Sequence, residues 1–146
     1  MITGEYKNSL DEKGRIFIPS KIRSSITGNV LVITKGVDAC LWLFPVEEWK
    51  KISEKLMDSV NVFHKDARRI QRHFIAPAQE VEIDKSGRIM VSQTLREYAN
   101  LQKDCYICGM GKRIELWDEG EYKSYFDQNG EDLDAVFERN SEILSF

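Results

Sequence analysis

The chain has 146 residues, 42% hydrophobic and 31% charged, which suffices for one domain or for two halves sharing a core. Halves of this size would be marginal alone, which favours interlocking. The longest apolar run, residues 39–46, is too short to span a membrane, and the polar start resembles no secretory signal. These features predict a soluble, cytoplasmic protein. Three cysteines in such a chain argue against a disulfide framework. A net charge of -3 disfavours a nucleic-acid binder as a bulk number, but the acid is concentrated at one end. From Asp118 onward nine acids face Lys123 and Arg139, a net of -7, so residues 1–117 carry +4. That part of the chain is mildly basic.

In chain order, residues 1–8 read as a strand, followed by a tight hairpin across residues 10–19. Pro19 ends the second strand, and Ser20 is the expected N-cap of one or two helical turns reaching Ile26. Thr27-Gly28-Asn29 breaks that helix. Residues 30–34 and 39–44 are apolar strands about the turn Lys35-Gly36-Val37-Asp38, and their continuous apolar character predicts burial on both faces. Pro45 opens a helix over 46–60, with Glu47 and Glu48 at its positive end and Val46, Trp49, Ile52, Ser53, Leu56 and Val60 as its apolar stripe. A second helix spans 66–74 and carries Arg68, Arg69 and Arg72. A solvated face, or pairing with acids such as Glu54 and Asp58, is a simpler account of these three than a phosphate patch.

From residue 75 the second half retraces the first. Thr94-Leu95-Arg96-Glu97 fits a capping box, and strands at 105–108 and 113–117 flank Gly109-Met110-Gly111-Lys112. Beyond them, residues 131–144 form a weak, acidic amphipathic helix through Leu133, Val136, Phe137 and Ile143. It could cap a neighbouring subunit or be a frayed tail.

The retracing is an internal repeat. Asp11 falls on Asp84, an offset of 73, and the same offset puts Gly14 on Gly87, Arg15 on Arg88, Ile16 on Ile89 and Arg23 on Arg96. It continues with Gly36 on Gly109, Leu43 on Leu116, Phe44 on Trp117, Glu48 on Glu121, Trp49 on Tyr122 and Lys50 on Lys123. The resulting division is a first repeat at 1–53, a connecting helical segment at 54–75, a second repeat at 76–126 and an acidic helical tail at 127–146.

Within each copy, Asp11 or Asp84 can accept a bond from a backbone N–H two residues on, and Gly14 or Gly87 supplies the positive φ that a short hairpin loop needs. Lys13, Arg15, Lys85 and Arg88 then stand at or beside a solvated loop tip. Closing a turn requires only the Asp and the Gly. Retention of the Arg in both copies, and of Arg23 with Arg96, therefore points to a function beyond turn formation.

Other constellations are weak. Cys105 and Cys108 have redox or half-zinc spacing, but in a strand residues three apart point to opposite faces. Cys40, His64 and His73 lack partner spacing for a closed metal site, so the cysteines read as small core hydrophobes and the histidines as core or surface residues. There is no phosphate-binding P-loop, no Gly-x-Ser-x-Gly and no His-Glu-x-x-His. No enzyme, metal or cofactor is expected.

The chain resembles the MraZ proteins, of the AbrB-like swapped-hairpin group of bacterial DNA-binding proteins. The resemblance rests on Gly4-Glu5-Tyr6, Leu10-Asp11-Glu12-Lys13-Gly14-Arg15, Pro19, Arg23, residues 76–80, Asp84-Lys85-Ser86-Gly87-Arg88, Leu95-Arg96-Glu97-Tyr98-Ala99 and Glu115-Leu116-Trp117-Asp118. It covers residues 1–126. Ser92 departs from the pattern by standing where the first copy has Pro19, so a less rigid entry to the second helix is expected.

The resemblance implies a β-rich α+β fold of two pseudo-symmetric swapped-hairpin halves around one barrel-like core, with intervening and C-terminal helices. It further implies a nucleoid-associated transcriptional regulator forming ring-like homo-oligomers. Such a regulator binds direct repeats in promoter DNA upstream of its own gene, in the division and cell-wall cluster. Arg15 and Arg88 would then meet base edges or phosphates in the major groove and Lys13 and Lys85 would hold phosphates. Arg23 and Arg96 would be outer contacts or loop supports. Two alternatives stand beside this reading: an antitoxin-like protein-interaction module whose acidic tail binds the partner, and a metal or redox protein using the cysteine pair.

Overall fold

The computed structural model describes residues 1–58, 63–128 and 132–145. The elements of each half follow the same order. The first contributes β1 (Glu5–Ser9), β2 (Arg15–Phe17), α1 (Ser20–Arg23), β3 (Val30–Lys35), β4 (Leu41–Pro45) and α2 (Val46–Asp58). After α3 (Lys65–Phe74) come β5 (Gln79–Glu82), β6 (Arg88–Met90), α4 (Gln93–Tyr98), β7 (Asp104–Gly109), β8 (Ile114–Asp118) and α5 (Glu119–Gln128), then α6 (Leu133–Arg139). The fold is α+β, as expected.

The two halves trade strands. β1 pairs antiparallel with β7 of the second half, with Tyr6 opposite Ile107, and β5 pairs antiparallel with β3 of the first, with Leu31 opposite Val81. The hairpins β3–β4 and β7–β8 join through β4 and β8, giving a six-stranded sheet in the order β1-β7-β8-β4-β3-β5. The short strands β2 and β6 pair with each other about Ile16 opposite Ile89. Neither half can therefore complete its sheet without the other, which answers the size problem of a half-length core.

The barrel-like closure expected from the sequence does not form among the described residues. The sheet is open, with β1 and β5 at its two ends, because β2 and β6, which follow those edge strands in the chain, pair with each other.

Both faces of the sheet are covered. On one, Leu31, Ile33, Leu41, Leu43, Ile107, Ile114 and Leu116 pack with Ile16, Ile18 and Ile22 from the first half and Ile89, Val91 and Leu95 from the second. On the other, Cys40, Cys108 and Trp117 pack with Trp42, Tyr106 and Tyr122. Double burial is why β3 and β4 read as unbroken apolar runs. Along α2 the expected stripe holds for Trp49, Ile52, Ser53 and Leu56, which are half-buried, whereas Val46 is exposed. Val60 lies outside the described residues, as does Glu131 at the start of the expected C-terminal helix. That helix is shorter than its sequence pattern: α6 covers seven residues, and its Leu133 and Phe137 are exposed.

The helix starts differ from expectation. Pro19, not Ser20, occupies the N-cap of α1, and no side chain caps it. The second half caps at Ser92, whose Oγ accepts from the Leu95 backbone N–H at 3.4 Å, so Thr94 falls inside α4 rather than at its cap. Ser92 thus caps α4 with a side-chain hydrogen bond, whereas Pro19 restricts the entry to α1 through its fixed φ.

Among the described residues no helix is long and apolar enough to cross a membrane. All three cysteines are free and buried, with Cys105 and Cys108 in different clusters on the two faces of the sheet. Burial pushes the Cys105 thiol up to about 12 and that of Cys108 to about 11. His73 shares the Gly36 carbonyl with the Tyr98 hydroxyl, each at 2.8 Å.

Candidate nucleic-acid interface

The strand pair β2–β6 and the turns that lead into it form one surface. In the first turn the Gly14 N–H donates to the Asp11 carbonyl at 3.0 Å and the Asp11 N–H donates to the Arg15 carbonyl at 2.8 Å. The Asp11 carboxylate closes the loop from inside, accepting from the backbone N–H of Lys13 at 2.9 Å and of Arg15 at 2.8 Å. The second turn repeats this pattern: Asp84 accepts from the N–H of Ser86 at 2.8 Å and of Arg88 at 2.9 Å. Gly14 and Gly87 have φ of 82° and 84°, in the left-handed region where a side chain is disfavoured. These backbone bonds, Arg15's onto Asp11 and Arg88's onto Asp84, are the main reason both carboxyls sit below their ordinary value.

The two guanidiniums are held unequally. Arg15 Nε donates to Asp11 Oδ2 at 2.8 Å. Arg88 lies between the two acids, with Nε 3.7 Å from Asp84 Oδ2 and Nη1 3.8 Å from Asp11 Oδ2, and among the described residues its Nε finds no hydrogen-bond partner. Asp11 therefore faces both arginines, one from each half. A guanidinium has five N–H donors, and among the described residues the bond to Asp11 engages one of Arg15's. Both side chains are partly exposed, at 30% for Arg15 and 35% for Arg88. Lys13 and Lys85 stand exposed on the loops outside them.

Arg23 and Arg96 lie behind the turns, each against the glycine of the other half. A Cβ on Gly87 would stand 2.9 Å from Arg23 Cζ, and one on Gly14 would stand 3.0 Å from Arg96 Cζ. Arg23 is fixed by donating Nε to the Ile18 carbonyl at 2.9 Å and by standing over the Phe17 ring, 5.1 Å from its centre. Backbone bonds make the same crossing: Ile18 N–H to the Gly87 carbonyl at 2.8 Å and Val91 N–H to the Gly14 carbonyl at 2.9 Å. The structure thus brings eight of the ten singled-out residues into one cross-braced unit, with Lys13 and Lys85 exposed on its loops.

The sequence reading passed over two residues on this surface, Phe17 and Met90. Ile16 and Ile89 turn into the core, so their strand neighbours Arg15, Phe17, Arg88 and Met90 project outward. The repeat itself carried a signal for them, since an offset of 73 places Phe17 on Met90.

Among the described residues no group of three or more His, Cys, Asp or Glu side chains could hold a metal ion. The three arginines of α3 lie outside the turn constellation, on an element of their own.

Comparison with known proteins places this arrangement in context. The family described as "MraZ protein, putative antitoxin-like" matches the chain twice, over residues 1–73 and 74–143. A protein of Treponema denticola named transcriptional regulator MraZ is 49% identical over 142 residues, covering 97% of this chain and 99% of the relative. Proteins of the same name are 44% identical in Acetivibrio thermocellus, over 95% of this chain and 96% of the relative, and 40% identical in Treponema pallidum, over 91% and 89%.

Proposed function

Because the chain belongs to the MraZ family, we propose that it is a transcriptional regulator that binds specific double-stranded DNA through the paired turns and the β2–β6 ribbon. The observation that carries this reading is the twinned turn, in which two Asp-closed loops hold Arg15 and Arg88 on one face and Lys13 and Lys85 beside them. A two-stranded β-ribbon fits the major groove, where Arg pairs with guanine O6 and N7 and Lys neutralises phosphate. In this scheme Asp11 and Asp84 orient the guanidiniums, while Arg23 and Arg96 keep the turns at fixed separation. Such bracing limits the ordering cost of binding.

One bidentate Arg–guanine contact is worth roughly 1–3 kcal/mol. A specific operator affinity of about 10 nM or tighter needs more than that. The shortfall is met if several subunits of a ring-like homo-oligomer engage successive direct repeats in the promoter of the chain's own gene, through effective concentration. The two swapped-hairpin repeats, 1–53 and 76–126, would each supply one turn, with 54–75 connecting them and 127–146 outside the contact. A nucleoid-associated, cytoplasmic location follows from that role, and no catalytic step is part of it.

The antitoxin-like reading is favoured by the exposed apolar residues Phe126, Leu133 and Phe137 in the acidic part of the chain. One experiment separates the two. Fluorescence anisotropy is measured on a duplex from upstream of the chain's own gene and on a scrambled duplex, at two salt concentrations, for wild type and Arg15→Ala/Arg88→Ala. The regulator reading expects preference for the native duplex in wild type and its loss in a folded, oligomeric variant. If wild type does not distinguish the duplexes, the reading fails and the interaction module takes its place.

A further inference from the structure

The outer face of the β2–β6 ribbon combines cations with exposed apolar groups, and we infer that Phe17 and Met90 read thymine by contact with its 5-methyl group, beside the bases met by Arg15 and Arg88. The inference rests on the DNA-binding role proposed above and adds a specificity element to it.

Phe17 and Met90 are 37% and 48% exposed, next to the fully buried Ile16 and Ile89. Large apolar groups this exposed on a short ribbon gain less from folding than buried ones do, even though Arg23 covers part of the Phe17 ring. They could have been polar at no cost to the core, since their side chains leave it. Both halves nevertheless place a large apolar side chain at this position, two residues after the Arg. The register then mixes the two chemistries across the strands: Arg15 faces Met90, and Phe17 faces Arg88. Each cation thus has an apolar neighbour directly opposite, at a cross-strand Cβ separation of about 5 Å. That exceeds the ~3.4 Å rise of one base pair only modestly, so a guanidinium on one base leaves its apolar neighbour over an adjacent one.

In the major groove the apolar feature available to such a side chain is the thymine methyl. Phe17 is also held in place, by Arg23 over its ring and by Gly87 close beneath its edge. A fixed ring loses little rotamer freedom on binding. The alternating pattern would favour sites in which a guanine has a thymine as neighbour, related by the pseudo-two-fold that relates β2 to β6.

The test replaces each thymine of the native upstream duplex with deoxyuridine, which removes the methyl and leaves base pairing intact. Wild type, Met90→Ala and Phe17→Ala/Met90→Ala are titrated by anisotropy on the thymine and uracil duplexes and on the scrambled duplex. Removing the contacted methyls is expected to weaken wild-type binding roughly fourfold for each one met by Phe17 or Met90, the equivalent of one buried methyl group apiece. The double variant is expected to bind both duplexes alike. If wild type prefers native over scrambled DNA yet binds the thymine and uracil duplexes equally, the inference is overturned while the regulator reading stands. If the double variant keeps the wild-type ratio between them, the methyl acts through DNA shape and the inference is again overturned. The wild-type comparison needs no substitution, so instability of a variant does not protect the proposal.

Discussion

Substituting Gly87 by Ala tests the cross-bracing of the two turns. At φ 84° an L-residue pays about 1–2 kcal/mol for the left-handed backbone. The added Cβ would also stand 2.8 Å from Phe17 Cε2, 2.9 Å from Arg23 Cζ and 3.1 Å from Arg23 Nε. Arg23 must therefore move, endangering the 2.9 Å bond from its Nε to the Ile18 carbonyl, worth about 1 kcal/mol, and its stacking on Phe17, worth about 0.5–1 kcal/mol. The total is about 2.5–4 kcal/mol. Gly28 is the matched control, because it has φ 80° with nothing among the described residues within 4 Å of its Cβ position. Gly28→Ala should cost the backbone term alone. Urea unfolding of both variants at one protein concentration, which fixes any contribution from association, should place Gly87→Ala about 1–2 kcal/mol below Gly28→Ala. Equal midpoints with equal slopes would show that Arg23 does not brace the opposite turn and would refute the reasoning.

Further outcomes concern pH and thiol chemistry. Asp11 and Asp84 have folded values below their ordinary ones, so the stability they contribute is present above about pH 4 and is lost as the pH falls through the folded values. Asp11→Asn/Asp84→Asn should flatten the acid limb of a stability profile measured by denaturant unfolding, and an unchanged limb would count against the turn-closing role. Part of the limb should survive, because Glu119 is held down to about 2 by hydrogen bonds from Lys123 and Lys7. With Cys105 pushed up to about 12 and Cys108 to about 11, a disulfide reagent at pH 8 should modify the native thiols far more slowly than those of the urea-unfolded chain. A thiol reacting at the unfolded rate in the native protein would reopen the redox alternative.

Much of the candidate site was legible because its chemistry is local. Asp11 reaches Lys13 and Arg15, and Asp84 reaches Ser86 and Arg88, within four residues. Such contacts are written in the order of residues, and the repeat showed that they occur twice. Strand and helix types followed for the same reason, from the doubly apolar runs of β3 and β4 and the periodic stripe on α2. Local reading fell short where equivalent local choices compete. Ser20 looked like a cap as good as any, but Pro19 already fixes the entry backbone of α1. Thr94 offered a capping box, but Ser92 is placed to cap two residues earlier.

The sequence by itself determined the two turns, the residues that close them, the apolar strands and the duplication that relates the halves. Tertiary structure alone decided which half each strand serves. β1 could have completed the hairpin of its own half with the same kinds of hydrogen bond, because the two halves have similar strands. Instead β1 joins β7, β5 joins β3, and β2 meets β6, pairings between segments far apart in the chain. From that exchange follow Arg23 against Gly87, Arg96 against Gly14, and Asp11 between arginines of both halves. No residue-by-residue preference distinguishes a partner in the same half from its counterpart in the other. The three-dimensional packing of both halves around one core makes that choice.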